Sequence, residues 1–92
     1  MNKYETIFII NISAGEEKIK ELIDKFSGLI SSNGTVESVD EWGQKHLSYP
    51  INKQNEGYYV LINFDAKPDL IAELERVYKI TDEIIKFITV RK

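Results

Sequence analysis

The chain has 92 residues, 12 Lys and Arg against 15 Asp and Glu, a formal net charge of −3 and no cysteine. That is the length of one domain, 1–92, with a thin core, since a chain this short hides only roughly 60–65% of the surface its unfolded form exposes. The missing cysteines exclude disulfide scaffolds, zinc ribbons and thiol catalysis, and the acidic balance argues against generic coating of nucleic acid.

No apolar run approaches the roughly 18 residues of a membrane span, and the N-terminus lacks the regions of a signal peptide, so a cytoplasmic protein is expected. Tyr4 to Ile12 is rich in β-branched and aromatic residues. As a strand it puts Tyr4, Thr6, Phe8 and Ile10 on one face and Ile7 and Ile9 on the other, which marks a central position. Ser13 and Glu16 have the spacing of a capping box. The helix that follows carries Ile19, Leu22, Ile23, Phe26 and Ile30 in one stripe, and Asn33-Gly34 reads as its left-handed stop.

Thr35 to Tyr49 reads as a long polar strand at an edge, with Gly43 marking a bulge. Pro50 to Glu56 reads as a loop by its Pro and Asn content. Gly57 opens a third strand, Tyr58 to Ala66, again apolar on both faces. Pro68 suits the first turn of a second helix, whose stripe is Leu70, Ile71, Leu74, Val77 and Tyr78. That helix ends near Ile80-Thr81-Asp82, and Ile84 to Val90 is the last strand. The order β-α-β-β-α-β predicts an α+β ferredoxin-like sandwich: a four-stranded antiparallel sheet with both helices on one face. The other face stays open and carries apolar residues from both central strands, a potential partner surface.

Catalysis finds no support in the residue pattern. His46 is the only histidine, and no His, Asp and Glu group has metal-ligand spacing. The pairs Glu16-Glu17, Asp40-Glu41 and Asp82-Glu83 suit solvated element margins, and the glycines are too scattered to cradle phosphate. No enzyme activity, metal or cofactor is expected. The cations outside the helices are more suggestive. Lys3 begins the first strand, Lys45 and His46 lie in the second, Lys53 follows Pro50, and Lys86, Arg91 and Lys92 lie in or end the last. Taking the second strand to finish beside the start of the first, all of these gather at one end of the sheet, a local basic site suited to phosphate. Trp42, the sole tryptophan, has two readings: core packing, or a partner contact together with Tyr49.

The stretch Trp42-Gly43-Gln44-Lys45-His46-Leu47-Ser48-Tyr49-Pro50-Ile51-Asn52-Lys53 resembles the signature of the bacterial small-subunit ribosomal protein six (S6) family: a Gly, a basic pair, Leu, Ala or Ser, Tyr, Pro, Ile, then a Lys. Tyr4-Glu5, Gly34, Gly57-Tyr58-Tyr59, Pro68 and Leu74-Glu75-Arg76 extend the resemblance over the whole chain. It implies a structural, non-enzymatic component of the small ribosomal subunit. Such a protein binds the central domain of the small-subunit rRNA as a heterodimer with ribosomal protein eighteen (S18). Carried over, the family's basic residues fall on Lys3, Lys45, Lys53, Lys86 and Arg91, with His46 and Tyr49 as hydrogen-bonding or stacking contributors. Asn2 stands where the family often has Arg, and His46 takes one place of the basic pair.

Two other readings share the element order. Ile7 to Ile12 and Gly57 to Ile62 resemble the two short motifs of the RNA-recognition motif, whose sheet-face aromatics stack bases. There Phe8 belongs on the open face with Tyr58, whereas the S6 resemblance puts Phe8 beneath the helices. An acylphosphatase-type enzyme needs an Arg in the loop after the first strand, and Asn11 to Gly15 contains none.

Overall fold

The computed structural model describes residues 2–51 and 54–92, with the side chains of 45–51 and 54–56 outside the description. Strand β1 (Asn2–Asn11) leads through a single 3-10 turn (Ile12–Ala14) into helix α1 (Glu16–Asn33). Strands β2 (Gly34–Ile51) and β3 (Gln54–Ala66) form a hairpin, followed by helix α2 (Pro68–Ile80) and strand β4 (Ile84–Arg91). The sheet order is β2-β3-β1-β4, all neighbours antiparallel, so the two strands apolar on both faces are the central ones. This is the ferredoxin-like sandwich the element order predicts.

Alternation along β1 sets the layers. Tyr4, Thr6, Phe8 and Ile10 are buried on the helix side, opposite Phe64, Ile62, Val60 and Tyr58 of β3. Both helices bury the expected stripes: Ile19, Leu22, Ile23, Phe26 and Ile30 in α1, and Leu70, Leu74, Val77 and Tyr78 in α2, with Ile71 half-buried. Phe8, Phe26 and Tyr78 meet as a three-ring cluster, with centroids 5.2 Å, 5.3 Å and 4.6 Å apart, so one contact joins the sheet to both helices.

Local chemistry departs from the sequence expectations in three places. Ser13 does not cap α1. Its hydroxyl donates to Asn11 Oδ1 at 2.7 Å and its amide to the same oxygen at 3.0 Å, which builds the 3-10 turn instead. Gly15, at φ +90°, then turns the chain into α1 without a side-chain cap. Gly34 is no left-handed stop either: its φ is −172°, extended backbone. Its constraint is space, because a Cβ there would run into the Asp65 carbonyl oxygen of β3. Finally, the expected loop Pro50 to Glu56 is strand at all of its described residues, with 52–53 outside the description. β2 runs through Pro50 to Ile51, and Ile51 pairs with Gln54. A proline is tolerated there because β2 is an edge strand.

One buried polar network crosses the core. Thr6 Oγ1 lies 3.0 Å from the Tyr78 hydroxyl and 2.9 Å from Thr89 Oγ1. Burial pushes the Tyr78 phenol well above its ordinary value of 10.0, and the hydrogen bond to Thr6 offsets only part of that. A phenol raised in this way keeps its proton in the fold after the unfolded chain has lost it, so stability falls as pH rises above the unfolded value. Tyr78→Phe is expected to cost about 0.5–1.5 kcal/mol at neutral pH. It should also lose less stability than the parent between pH 8 and 11 in urea titrations; an unchanged alkaline loss would exclude Tyr78 as its source.

Candidate RNA and partner interface

With the even positions of β1 held under the helices, its odd positions form the open face. Three cross-strand rows can be followed over it. Gly43, Tyr59, Ile9 and Lys86 form one, Asp40, Leu61, Ile7 and Ile88 the next, and Ser38, Asn63, Glu5 and Val90 the third. The first two rows make a shallow apolar depression lined by Ile7, Ile9, Tyr59, Lys86 and Ile88. Ile88 and Val90 remain 55% and 44% exposed.

Trp42 joins this surface. Gly43 takes φ +82° at the expected bulge, where β2 shifts register between Glu41 and Gly43. The bulge lays the Trp42 ring on Tyr59, centroids 6.4 Å apart and nearly parallel, and its Nε1 donates to Asp40 Oδ2 at 3.3 Å. At 43% exposure Trp42 is not a core residue. The core-packing reading therefore fails, because the extra residue of the bulge turns the side chain outward.

The aromatic readout of the RNA-recognition motif is not built here. Phe8 is 0% exposed beneath the helices. Tyr58 and Val60 stand opposite Ile10 and Phe8 on that same side. The Tyr58 hydroxyl donates to Glu41 Oε1 at 2.8 Å, and that carboxylate holds the phenol above its ordinary range.

The cations do not gather as the sequence reading expects. β1 and β2 both run antiparallel to β3, so β2 finishes beside the end of β1, not its start. Lys45 stands opposite Gly57, while Lys3 stands opposite Asp65, eight residues further along β3. At about 3.3 Å per residue the two lie roughly 26 Å apart. Lys3, Arg91 and Lys92 do share one end, and the backbone of Lys45 and His46 lies at the other. Lys86, paired with Ile9, belongs to the second half. Lys53 lies outside the described residues, as do the side chains of Lys45, His46 and Tyr49.

The first end is also not simply basic. Lys3 Nζ lies 2.7 Å from Glu37 and 3.8 Å from Asp65, and Lys92 Nζ lies 3.9 Å from Glu5. The Glu37 hydrogen bond raises the Lys3 ammonium pKa, and Lys3 in turn lowers that of Glu37. Arg91 donates to Asn2 Oδ1 at 3.1 Å. Among the described residues, Lys86 has no carboxylate within ion-pair distance. These carboxylates were available to sequence reading, since Glu5, Glu37 and Asp65 are strand acids, but only the register brings them to Lys3.

No group of described residues could hold a metal ion, and no described helix is long and apolar enough to cross a membrane. A sequence model of the family described as ribosomal protein S6 matches residues 3–91. The chain belongs to the ribosomal protein S6 family. It is 57% identical over 91 residues to the small ribosomal subunit protein bS6 of Clostridium novyi, covering 98% of this chain and 96% of that one. The bS6 of Clostridium perfringens is 56% identical over 93 residues, covering 100% of this chain and 98% of its own. A crystal structure of 30S ribosomal protein S6 from Thermotoga maritima superposes with a TM-score of 0.95 at 33% identity, covering 99% of this chain and 87% of that one. S6 proteins belong to the small ribosomal subunit and are ribosomal proteins, not enzymes. The resemblance read from Trp42 to Lys53 is thus correct at the level of family and fold.

The placement of Trp42 separates surface from core in a measurable way. Trp42→Phe should move the unfolding free energy by no more than about 0.5 kcal/mol, whereas Phe8→Ala should cost about 3–5 kcal/mol. A Trp42→Phe loss as large as that of Phe8→Ala would return Trp42 to the core.

Proposed function

We propose that this chain binds small-subunit rRNA together with ribosomal protein S18, acting on the ribosome in the cytoplasm as a structural component. The observation that carries this reading is the open face itself. An aromatic pair, Trp42 on Tyr59, continues into Ile7, Ile9 and Ile88 with Lys86 at the margin. A patch of that kind on a small domain suits a protein partner. Asp40 beside Trp42 suits a partner with a basic group at its rim. This favours a face-packing partner, centred on Trp42, over one that adds to a strand edge.

RNA contact then falls into two zones. Lys45, His46, Tyr49 and Lys86 serve the end of the sheet where β2 finishes, and Lys53 is assigned to RNA by its place in the signature alone. Lys3 and Arg91 serve the opposite end, where Lys3 must first leave Glu37 and Asp65. Few cations in two separated groups give weak binding by the chain alone, and the partner supplies the remaining affinity and much of the specificity.

Reconstitution with a central-domain rRNA fragment tests the reading. The chain alone should bind weakly, and addition of S18 should tighten binding by at least about tenfold. Trp42→Ala should weaken S18 binding by a similar factor. Lys86→Ala should reduce the salt slope of RNA binding by about one. Tight binding of RNA by the chain alone, or S18 binding indifferent to Trp42, would overturn the proposal.

A further inference from the structure

Lys3 and Glu37 stand on strands that are not neighbours. β3 separates β1 from β2, so their axes lie roughly 10 Å apart. The hydrogen bond from Lys3 Nζ to Glu37 Oε1, 2.7 Å long, therefore crosses β3. A bulge aims the carboxylate. Val36 pairs with Phe64 and Ser38 with Asn63, while Glu37 between them is the extra residue, outside the ladder. Asp65 of β3 stands opposite Lys3, with its Oδ1 3.8 Å from the ammonium. That oxygen is shut away from solvent and accepts no hydrogen bond, so the ammonium supplies its compensating charge. The strands at this end carry Lys3, Arg91 and Lys92 against Glu5, Glu37 and Asp65, and their formal charges cancel.

Resting on the reading that Lys3 contacts rRNA phosphate, we propose that Glu37 is a gate on that contact. It parks the Lys3 ammonium across β3, and phosphate must displace it before this end of the sheet can bind. The parked and released states differ by one exchange. In the first, the ammonium donates to Glu37. In the second, it donates to a phosphate oxygen, and the Glu37 carboxylate returns to water. Both side chains are exposed, so the exchange disturbs no core contact. An exposed pair of this kind is weak enough to yield to phosphate and strong enough to oppose it several-fold. Asp65 attracts Lys3 at longer range and stays in place when Glu37 is removed, which limits the gain.

The gate has a signature in salt. An ammonium that neutralises an RNA phosphate releases a condensed cation, and each such release steepens the fall of affinity with salt. Here the released Glu37 carboxylate attracts a cation in return. The Lys3 contact therefore adds little to the salt slope while Glu37 is present, and counts in full once that carboxylate is gone.

Salt titrations of RNA binding read the gate, using the full chain with S18 held constant. A central-domain rRNA fragment and a scrambled RNA of the same length are compared. Glu37→Gln should tighten binding by about three- to fivefold and steepen the salt slope by about one. In a Lys3→Met background both effects of Glu37→Gln should vanish. Glu21→Gln makes the same charge change at an exposed position of α1 and should produce neither effect. A gain that survives Lys3→Met, or that Glu21→Gln matches, would make Glu37 a general repulsive charge and overturn the gate. An unchanged slope in Glu37→Gln would do the same. Equal binding of the two RNAs by the parent chain would instead overturn the ribosomal reading. The gate is still read in that case, because phosphate is common to both RNAs.

Discussion

The cluster of Phe8, Phe26 and Tyr78 is the contact on which the rest of the molecule depends. It is where β1, α1 and α2 meet, and all three rings are buried. A strand has a period of two, so seating Phe8 beneath the helices commits Ile7 and Ile9 to the opposite face. Tyr59, Leu61 and Ile88 follow through the β1 pairings. The same choice that closes the core thus creates the apolar open face. It also removes from that face the aromatic that base stacking would need. The orientation of one phenylalanine thus sets this sheet apart from the aromatic platform of an RNA-recognition motif.

Charge is arranged by pairing direction more than by composition. The −3 balance is set by the whole chain, yet for the strand cations the register decides which carboxylates stand beside them. Lys3 is held by Glu37 and Asp65, whereas Lys86 sits at the margin of an apolar depression. Equal formal charges therefore have different value toward phosphate. A cation already hydrogen-bonded to a carboxylate must give up that partner first.

The bulges in β2 connect the two themes. Three register shifts bend this long edge strand and blunt it against unwanted pairing. The one at Gly43 also lays Trp42 on Tyr59. β4 has a single irregularity near its start and keeps a straighter edge, guarded mainly by Lys86. The two edges of one sheet are thus protected to different degrees.

Periodicity alone determined the element order, both helix stripes, the two faces of β1 and the edge position of β2, because burial in a small domain depends directly on spacing along the chain. Trp42 to Lys53 pointed to the family for the same local reason: a contiguous run of residue types needs no fold to be recognised. Other features were invisible locally. That Gly34 answers to a carbonyl on β3, that Asn11 takes the Ser13 hydroxyl from the helix, and that the Gly43 bulge turns Trp42 outward each depend on what lies across the sheet. The largest difference concerns the cations. A sequence records how far apart Lys3 and Lys45 are along the chain, but only the antiparallel pairing of β1 and β2 with β3 decides that they occupy opposite ends of the sheet.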